Sequence, residues 1–338
     1  MLKIFIIILF FLNSAFALSI TSELELENSY NNEISSFYKT AKSGYFKGEK
    51  NLNIFFKYFK IKDEKGSIVI SDGRTESIVK YKELIYDLTQ NDYSVFIIDH
   101  RGQGLSDRVS TVNPKLGDID NFDFYVEDLH TFVQQIVKPT EPKKLFLLSH
   151  SMGGAIAGLY LDRYKEDFDA AVFSSPMIEP KIILPATSTL ICKIITKFNI
   201  PKAKAIESDE KYKEAWVENE KKNITHSSIR FKLYKEEMKK HPQNIIYSPS
   251  WFWIDETCRV TKKLLNGNIN YKIDVLLLQA GGDDIVNLKP QEEFCNSLQS
   301  CKLVKIDGAR HELFIEKDIY RFQALSNIIS FFDKHSEK

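Results

Sequence analysis

The chain of 338 residues lacks a net charge: Lys and Arg together number 46, and Asp and Glu together number 46. It therefore lacks the global basic footprint of a nucleic-acid binder, and no nucleic-acid partner is expected. Glycine, at 14 residues, and proline, at 10, are too sparse for a collagen or a low-complexity chain. Four cysteines are too few for a small disulfide-stapled scaffold, and none forms a Cys-x-x-Cys pair, which removes support for a zinc or redox site. The apolar run Ile4 to Leu12 falls short of the roughly 20 residues that a membrane-spanning helix needs. No internal repeat is present. What remains, 43% hydrophobic and 27% charged, is an ordinary globular composition. The length suits about two domains, or one large α/β domain carrying an insertion.

Residues 1–17 read as a signal peptide. Lys3 supplies a positive start, Ile4 to Leu12 an apolar stretch, and Ala15-Phe16-Ala17 a small-residue cleavage signal. The expectation is export, to the periplasm or the medium, with possible association with a membrane. An uncleaved anchor is the alternative. Removing Lys3 leaves 45 basic residues against 46 acidic ones. Export makes disulfides permissible. Cys295 and Cys301 lie close together across an expected helix-to-strand connection and are favoured as a pair, with Cys192 and Cys258 remaining. Four cysteines nevertheless allow three connectivities.

Residues 18–45 form a Glu- and Asn-rich leader of uncertain structure. Beyond it, short apolar runs alternate with amphipathic stretches. Strands are expected at Asn53 to Tyr58, Ser67 to Ile70, Ser94 to Ile98, Leu145 to Leu148, Ala171 to Phe173, Val275 to Leu278 and Lys302 to Ile306. Helices are expected at Glu76 to Leu88, Phe122 to Val137, Gly153 to Tyr164, Gln291 to Leu298 and Ile319 to Phe332. That alternation predicts an α/β fold with a mostly parallel sheet covered on both faces. The rhythm breaks over 177–250, where a Lys-, Glu- and aromatic-rich helical pattern reads as an insertion. The expected core is therefore 46–176 with 251–338.

The sharpest chemical signal is Leu145-Phe-Leu-Leu-Ser-His-Ser-Met-Gly-Gly154. Ser151 follows a buried strand and opens a helix, the setting of a nucleophile elbow, with Ser149 where the first glycine usually stands. The turn is tight, so the residues two before and two after the nucleophile must be small, and Ser149 and Gly153 are. The N–H of Met152 then lies at a helix N-terminus, where negative charge is stabilised. The bland alternative is a serine that merely caps a buried helix.

A serine nucleophile needs a base and an orienting acid. Two later strands open into loops that carry Asp283-Asp284 and His311, on the side of a parallel sheet where sites form. The order Ser, Asp, His fits an α/β-hydrolase. Asp283 is preferred over Asp284, and that choice stays open. A second glycine-bearing segment, Asp99-His-Arg-Gly-Gln-Gly-Leu-Ser106, lacks the third glycine of a dinucleotide fingerprint and reads as a structural turn.

With these segments in place, the chain resembles the α/β-hydrolases of the monoacylglycerol lipase and lysophospholipase group, often grouped with serine aminopeptidase-like hydrolases. The likeness is carried by Asp99 to Ser106, Ser149 to Ile156, Leu276 to Gln279, Gly308 to Glu312 with Glu316-Lys-Asp318, Asp72 to Ser77 with Val79 to Tyr81, and the aromatic Ser250 to Glu256. It spans about residues 50 to 335 and implies an α/β-hydrolase fold with a helical lid over 177–250. It implies that Ser151, Asp283 and His311 form the triad, with Met152 and Arg74 as backbone oxyanion donors. Relatives commonly have His-Gly where this chain has Asp72-Gly73. The implied activity is hydrolysis of single-chain lipid esters, lysophospholipid or monoacylglycerol, through an acyl-serine, with no metal or organic cofactor. A small ester substrate, aminopeptidase-like hydrolysis and a non-catalytic binding module are the alternatives. Ile182, Ile183, Leu184, Leu190, Ile191, Ile194 and Ile195 suit an acyl chain or a peripheral membrane contact, or else the lid's own core. Lys202 to Lys222 reads as a solvated helical face. No feature fixes an oligomeric state.

Overall fold

In the computed structural model, which describes residues 18–111, 113–181, 224–266 and 269–337, the apolar runs align in one eight-stranded sheet. Its strands are β1 Lys42–Lys47, β2 Asn53–Phe59, β3 Gly66–Ser71, β4 Tyr93–Ile98, β5 Leu145–His150, β6 Ala170–Ser174, β7 Asp274–Ala280 and β8 Cys301–Ile306. Their spatial order is β1-β2-β4-β3-β5-β6-β7-β8. Pairings from β4 through β8 are parallel, and β1 and β2 add an antiparallel edge.

All seven expected strands are present. The eighth, β1, begins inside the stretch read as a leader, so the sheet starts before residue 46. It escaped the pattern because only Phe46 of its six residues is buried; an edge strand facing solvent shows little apolar periodicity.

The parallel strands sort their side chains by alternation. Phe96, Ile98, Leu145, Leu147, Val275 and Leu277 face one core. Val95, Ile97, Phe146, Leu148, Leu276 and Leu278 face the other. Helices cover both. The leader contributes α1 Glu23–Ser29 and α2 Ser35–Tyr38, joined by a π turn at Tyr30–Ile34; then come α3 Lys82–Gln90, α4 Asp123–Phe132 and α5 Met152–Arg163. After the undescribed stretch follow α6 Ser228–Lys240, α7 Trp251–Leu265, α8 Leu288–Ser297 and α9 Asp318–Ser336. Helices α4, α5 and α7 pack on the first face, and α3 and α9 on the second.

Of the region expected to be a lid, 182–223 lies outside the described residues, and with it the apolar group Ile182 to Ile195 and the charged run Lys202 to Lys222. The described end holds α6, whose cap residue Ser227 accepts the Arg230 N–H at 3.2 Å. Ser250 likewise caps α7, accepting the Trp253 N–H at 3.1 Å, so the aromatic Ser250 to Glu256 segment begins a helix. The leader is not loose. Leu26, Tyr30 and Ile34 pack against Leu233 of α6. Cys295 and Cys301 form a disulfide between α8 and β8, and Cys258 is also disulfide-bonded.

The chain departs in opposite directions from β3 and β5, which are adjacent in the sheet. The crevice at their C-terminal ends is a topological switch point, where ligands of open α/β sheets bind. Asp72 to Arg74 follow β3, and Ser151 follows β5.

Candidate active site

Ser151 sits at the turn between β5 and α5 with φ 50° and ψ −116°, a backbone conformation that L-residues rarely adopt. Close neighbours hold it there. A Cβ on Gly153 would lie 2.1 Å from the Ser71 carbonyl oxygen, and one on Gly154 2.5 Å from Pro176 Cβ. Only glycine lets α5 come this near β3. Ser149, where the motif usually has glycine, is fully buried and donates its hydroxyl to the Val172 carbonyl at 3.2 Å, so the substitution leaves no polar group stranded.

The structure brings Ser151, His311 and Asp283 together. The His311 Nε2 is 2.9 Å from Ser151 Oγ, and its Nδ1 is 2.7 Å from Asp283 Oδ2. A carboxylate only accepts, so Nδ1 carries the proton and Nε2 is free to take one from the serine. The other Asp283 oxygen accepts the N–H groups of Ile285 at 2.8 Å and Val286 at 3.1 Å, which fixes the carboxylate plane. Asp284 is elsewhere: its side chain is 70% exposed and lies 3.7 Å from Lys181.

Burial acts against charge on both partners, and the contact between them outweighs it. The Asp283 carboxyl is held below the usual carboxylate range because its interaction with His311 and its backbone hydrogen bonds overcome desolvation. The His311 imidazole, where burial opposes the cation, is raised above its ordinary value by Asp283, with Glu312 adding to the effect and Lys80 opposing it. Ser151 is 9% exposed, against 3% for each of the other two, so it is the member of the three most open to solvent.

The loop after β3 is braced from both sides of Arg74. Gly73 donates its N–H to Glu76 at 2.7 Å, and Thr75 donates its N–H to Gln103 Oε1 at 3.3 Å. Gln103 also donates to the Gly73 carbonyl at 2.8 Å and to Asp72 at 3.2 Å. The Arg74 side chain donates to the Tyr247 carbonyl at 2.7 Å and lies over the Trp253 ring. Asp72 is buried, and that burial, with Glu76 and Asp99 near it, pushes its carboxyl well above the usual range. The Arg74 backbone N–H is flanked by two anchored amides, those of Gly73 and Thr75. Met152 opens α5, whose first N–H groups have no partner within the helix.

Gln103 belongs to the Asp99 to Ser106 segment, which sequence reasoning treated as a turn. It is a turn: Asp99 accepts the N–H groups of Ile78 and Leu105, each at 2.7 Å, and a Cβ on Gly104 would collide with that carboxylate at 2.0 Å. Its further work, bracing the Asp72 to Thr75 loop through Gln103, depends on a contact across the sheet that no local motif announces.

A buried cluster also lies beside the three residues. Glu76, His150 and Glu312 bring ligand-type atoms within 4.8 Å of one another. The Lys80 ammonium already takes the position a cation would fill, donating to both Glu76 and Glu312. Glu76, Lys80, His150 and Glu312 all lie in the segments that carry the family likeness, and nothing in their local spacing marks them as one cluster.

Residues 62–318 match the family described as serine aminopeptidase, S33. The chain is 30% identical over 319 residues to lysophospholipase L2 of Escherichia coli, covering 90% of this chain and 91% of that one. It is 30% identical over 149 residues to monoglyceride lipase of Rattus norvegicus, covering 44% of this chain and 47% of that one. Among solved structures, a soluble variant of monoglyceride lipase from Saccharomyces cerevisiae superposes with a TM-score of 0.68 at 20% identity, covering 87% of this chain and 95% of that one.

Proposed function

The chain belongs to the serine aminopeptidase S33 family of α/β-hydrolases, and from that membership we propose that it is a serine hydrolase cleaving carboxylic esters of single-chain lipids, lysophospholipid or monoacylglycerol. The observation that carries the reading is the relay from Ser151 through His311 to Asp283, with both links at hydrogen-bond distance and the serine at the sheet's switch point. The names of two relatives, a lysophospholipase and a monoglyceride lipase, support the substrate class.

In this mechanism His311 Nε2 takes the Ser151 proton as Oγ attacks the ester carbonyl. The N–H groups of Met152 and Arg74 receive the oxyanion, and Asp283 stabilises the imidazolium. The tetrahedral intermediate collapses to an acyl-serine, and the leaving alcohol takes the proton from His311. Water, deprotonated by the same imidazole, then attacks the acyl carbon, releasing the fatty acid and returning the proton to Ser151. Each step conserves protons within the relay. Export and peripheral contact with a membrane belong to the same proposal. They are supported by the apolar stretch Ile4 to Leu12 with its Ala15-Phe16-Ala17 ending and by the Cys295–Cys301 disulfide.

The test is a substrate panel with the serine variant as its control. Ser151→Ala should abolish fluorophosphonate labelling and reduce ester hydrolysis by roughly 10⁵-fold or more. Each added methylene buries about 0.8 kcal/mol, so kcat/KM on monoacyl substrates should rise with chain length until the acyl site is full. A flat profile, with aminoacyl nitroanilides turned over faster than lysophosphatidylcholine or monoacylglycerol, would favour a peptidase instead.

A further inference from the structure

Three parts of the proposed site come from separate stretches of chain: the loop after β3, the elbow after β5 and the loop after β8. Something must hold them in register, because a displacement of about 1 Å at a reacting group costs on the order of a hundredfold in rate. Each part has a neighbour in one buried cluster. Glu76 holds the Gly73 N–H, the amide next to that of Arg74. His150 immediately precedes Ser151, and Glu312 immediately follows His311. Lys80, on the 3-10 turn before α3, donates to both Glu76 and Glu312, and Tyr81 donates its hydroxyl to Glu76. The His150 Nε2 lies 3.2 Å from Glu312 and 3.4 Å from Glu76, its ring 4.9 Å from that of His311.

We propose that Lys80, bridging Glu76 and Glu312, is a positioning residue that locks the oxyanion loop and the histidine loop to each other around Ser151. This rests on the reading of Ser151, His311 and Asp283 as the hydrolytic triad. The side chain of Lys80 is 3% exposed, and those of Glu76 and Glu312 are 4% and 8% exposed. A cation so deep persists only because it is paired twice, and removing it leaves two carboxylates facing each other out of water. Burial opposes the Lys80 charge, yet Glu312 and Glu76 more than offset it and hold the ammonium above the ordinary lysine range. The same pairing keeps Glu312 ionised: desolvation raises its carboxyl, but Lys80 and His150 bring it well below the usual range.

A purely structural clamp would affect stability alone, whereas a positioning clamp charged on both sides also leaves a mark on the pH profile. His311 is faced by Asp283, Glu312, Lys80 and the His150 ring. Glu312 favours the imidazolium and Lys80 disfavours it. Removing the Glu312 charge should therefore move the acid limb of kcat/KM to lower pH, and removing the Lys80 charge should move it to higher pH.

The experiment uses the full chain with a short p-nitrophenyl ester and compares Lys80→Met, Glu312→Gln and the double variant. The double variant removes one charge of each sign and leaves one buried carboxylate, Glu76, where Lys80→Met leaves two, so it is the less perturbed of the pair. The expected result is a fall in kcat of about tenfold or more in every variant, with KM within about twofold, and opposite movements of the acid limb in the two single variants. Wild-type kcat in the double variant overturns the proposal, as does movement of the limb in the same direction in both single variants. If Lys80→Met is unfolded, the double-variant kcat and the Glu312→Gln limb decide the matter. Failure of the triad reading is distinguishable, because Ser151→Ala would then retain hydrolysis.

Discussion

The cluster of Glu76, Lys80, His150 and Glu312 and the cluster of Glu83, Asp87, Arg230 and Arg321 use the same materials, buried carboxylates and cations, but connect different things. In the first, His150 and Glu312 adjoin Ser151 and His311 in the chain, and Glu76 holds the amide next to that of Arg74. In the second, Arg230 of α6 reaches Glu83 of α3 with Nε at 3.0 Å, the Glu316 carbonyl at 2.7 Å, Asp318 of α9 at 2.9 Å and the Thr21 carbonyl of the leader at 3.0 Å. Arg321 adds Asp87 at 2.7 Å and the Phe314 carbonyl at 2.7 Å. The second cluster thus ties leader, α3, α6 and α9 into one body, and none of its four charged residues adjoins Ser151 or His311 in the chain. Equal burial does not imply equal purpose. What decides is which backbone each charge is attached to.

The electrostatics differ in the same sense. Glu312 is held well below its ordinary range, because its partners outweigh desolvation. Glu83 is raised, because desolvation outweighs Arg321 and Arg230. The first cluster maintains charge where charge acts on His311, and the second tolerates it to satisfy two arginines.

The comparison breaks first at Asp283. Asp283→Asn should leave the fold intact and lower kcat by roughly 10⁴-fold, since an amide cannot hold the imidazole in its tautomer or stabilise the cation. Asp284→Asn, on an exposed side chain, should change kcat by less than about twofold. Steady-state kinetics on one ester substrate checks both, and the reverse order of losses would reassign the acid.

The second cluster should show the opposite signature. Arg230→Met leaves Glu83 to Arg321 alone, at 3.2 Å, and takes a donor from the Glu316 carbonyl and from Asp318, and removing one partner of a buried pair costs up to about 3–5 kcal/mol. Thermal or urea unfolding should register that loss, while kcat per folded molecule stays near wild type. A fall in kcat matching that of Lys80→Met would erase the distinction between the clusters.

Much of this molecule was legible in its sequence, and the division has a physical cause. Strands β3 to β7 were read because parallel strands buried on both faces must be apolar throughout, and β2 and β8, near or at the two edges of the sheet and only partly buried, from shorter apolar runs. The elbow was read because its tight turn demands small residues at fixed offsets from Ser151. His311 and Asp283 were placed by following strand ends, which is where a parallel sheet forms its sites. Strand β1 was missed because its exposed residues carry no pattern, and the leader helices because their apolar contacts, Leu26, Tyr30 and Ile34, answer to Leu233 far along the chain. Neither Gln103 nor Lys80 could be given a role, since each works through contacts with residues remote in sequence: Gln103 with Gly73, Lys80 with Glu312. Local spacing reports local geometry, and bracing is non-local.

The Cys295–Cys301 disulfide offers the finest test of the comparison, because it joins an element next to the site without touching the site. It links the end of α8 to the first residue of β8, the strand that leads to His311. The loop it closes is short, with a sequence separation of 6, so the chain-entropy contribution is only about 2 kcal/mol. The register of β8 does not depend on it: β8 pairs with β7 in parallel from Val275 opposite Cys301 to Ala280 opposite Ile306. At the far end, the Gly281 N–H donates to the Ile306 carbonyl at 2.9 Å, and the Gly282 N–H to the Ala309 carbonyl at 2.7 Å. The double variant Cys295→Ser/Cys301→Ser should therefore unfold a few degrees earlier in a melt and keep its kcat, with an effect smaller than that of Arg230→Met. If kcat fell along with the melting temperature, the histidine loop would be taking its position from the disulfide and not from Glu312 and Asp283.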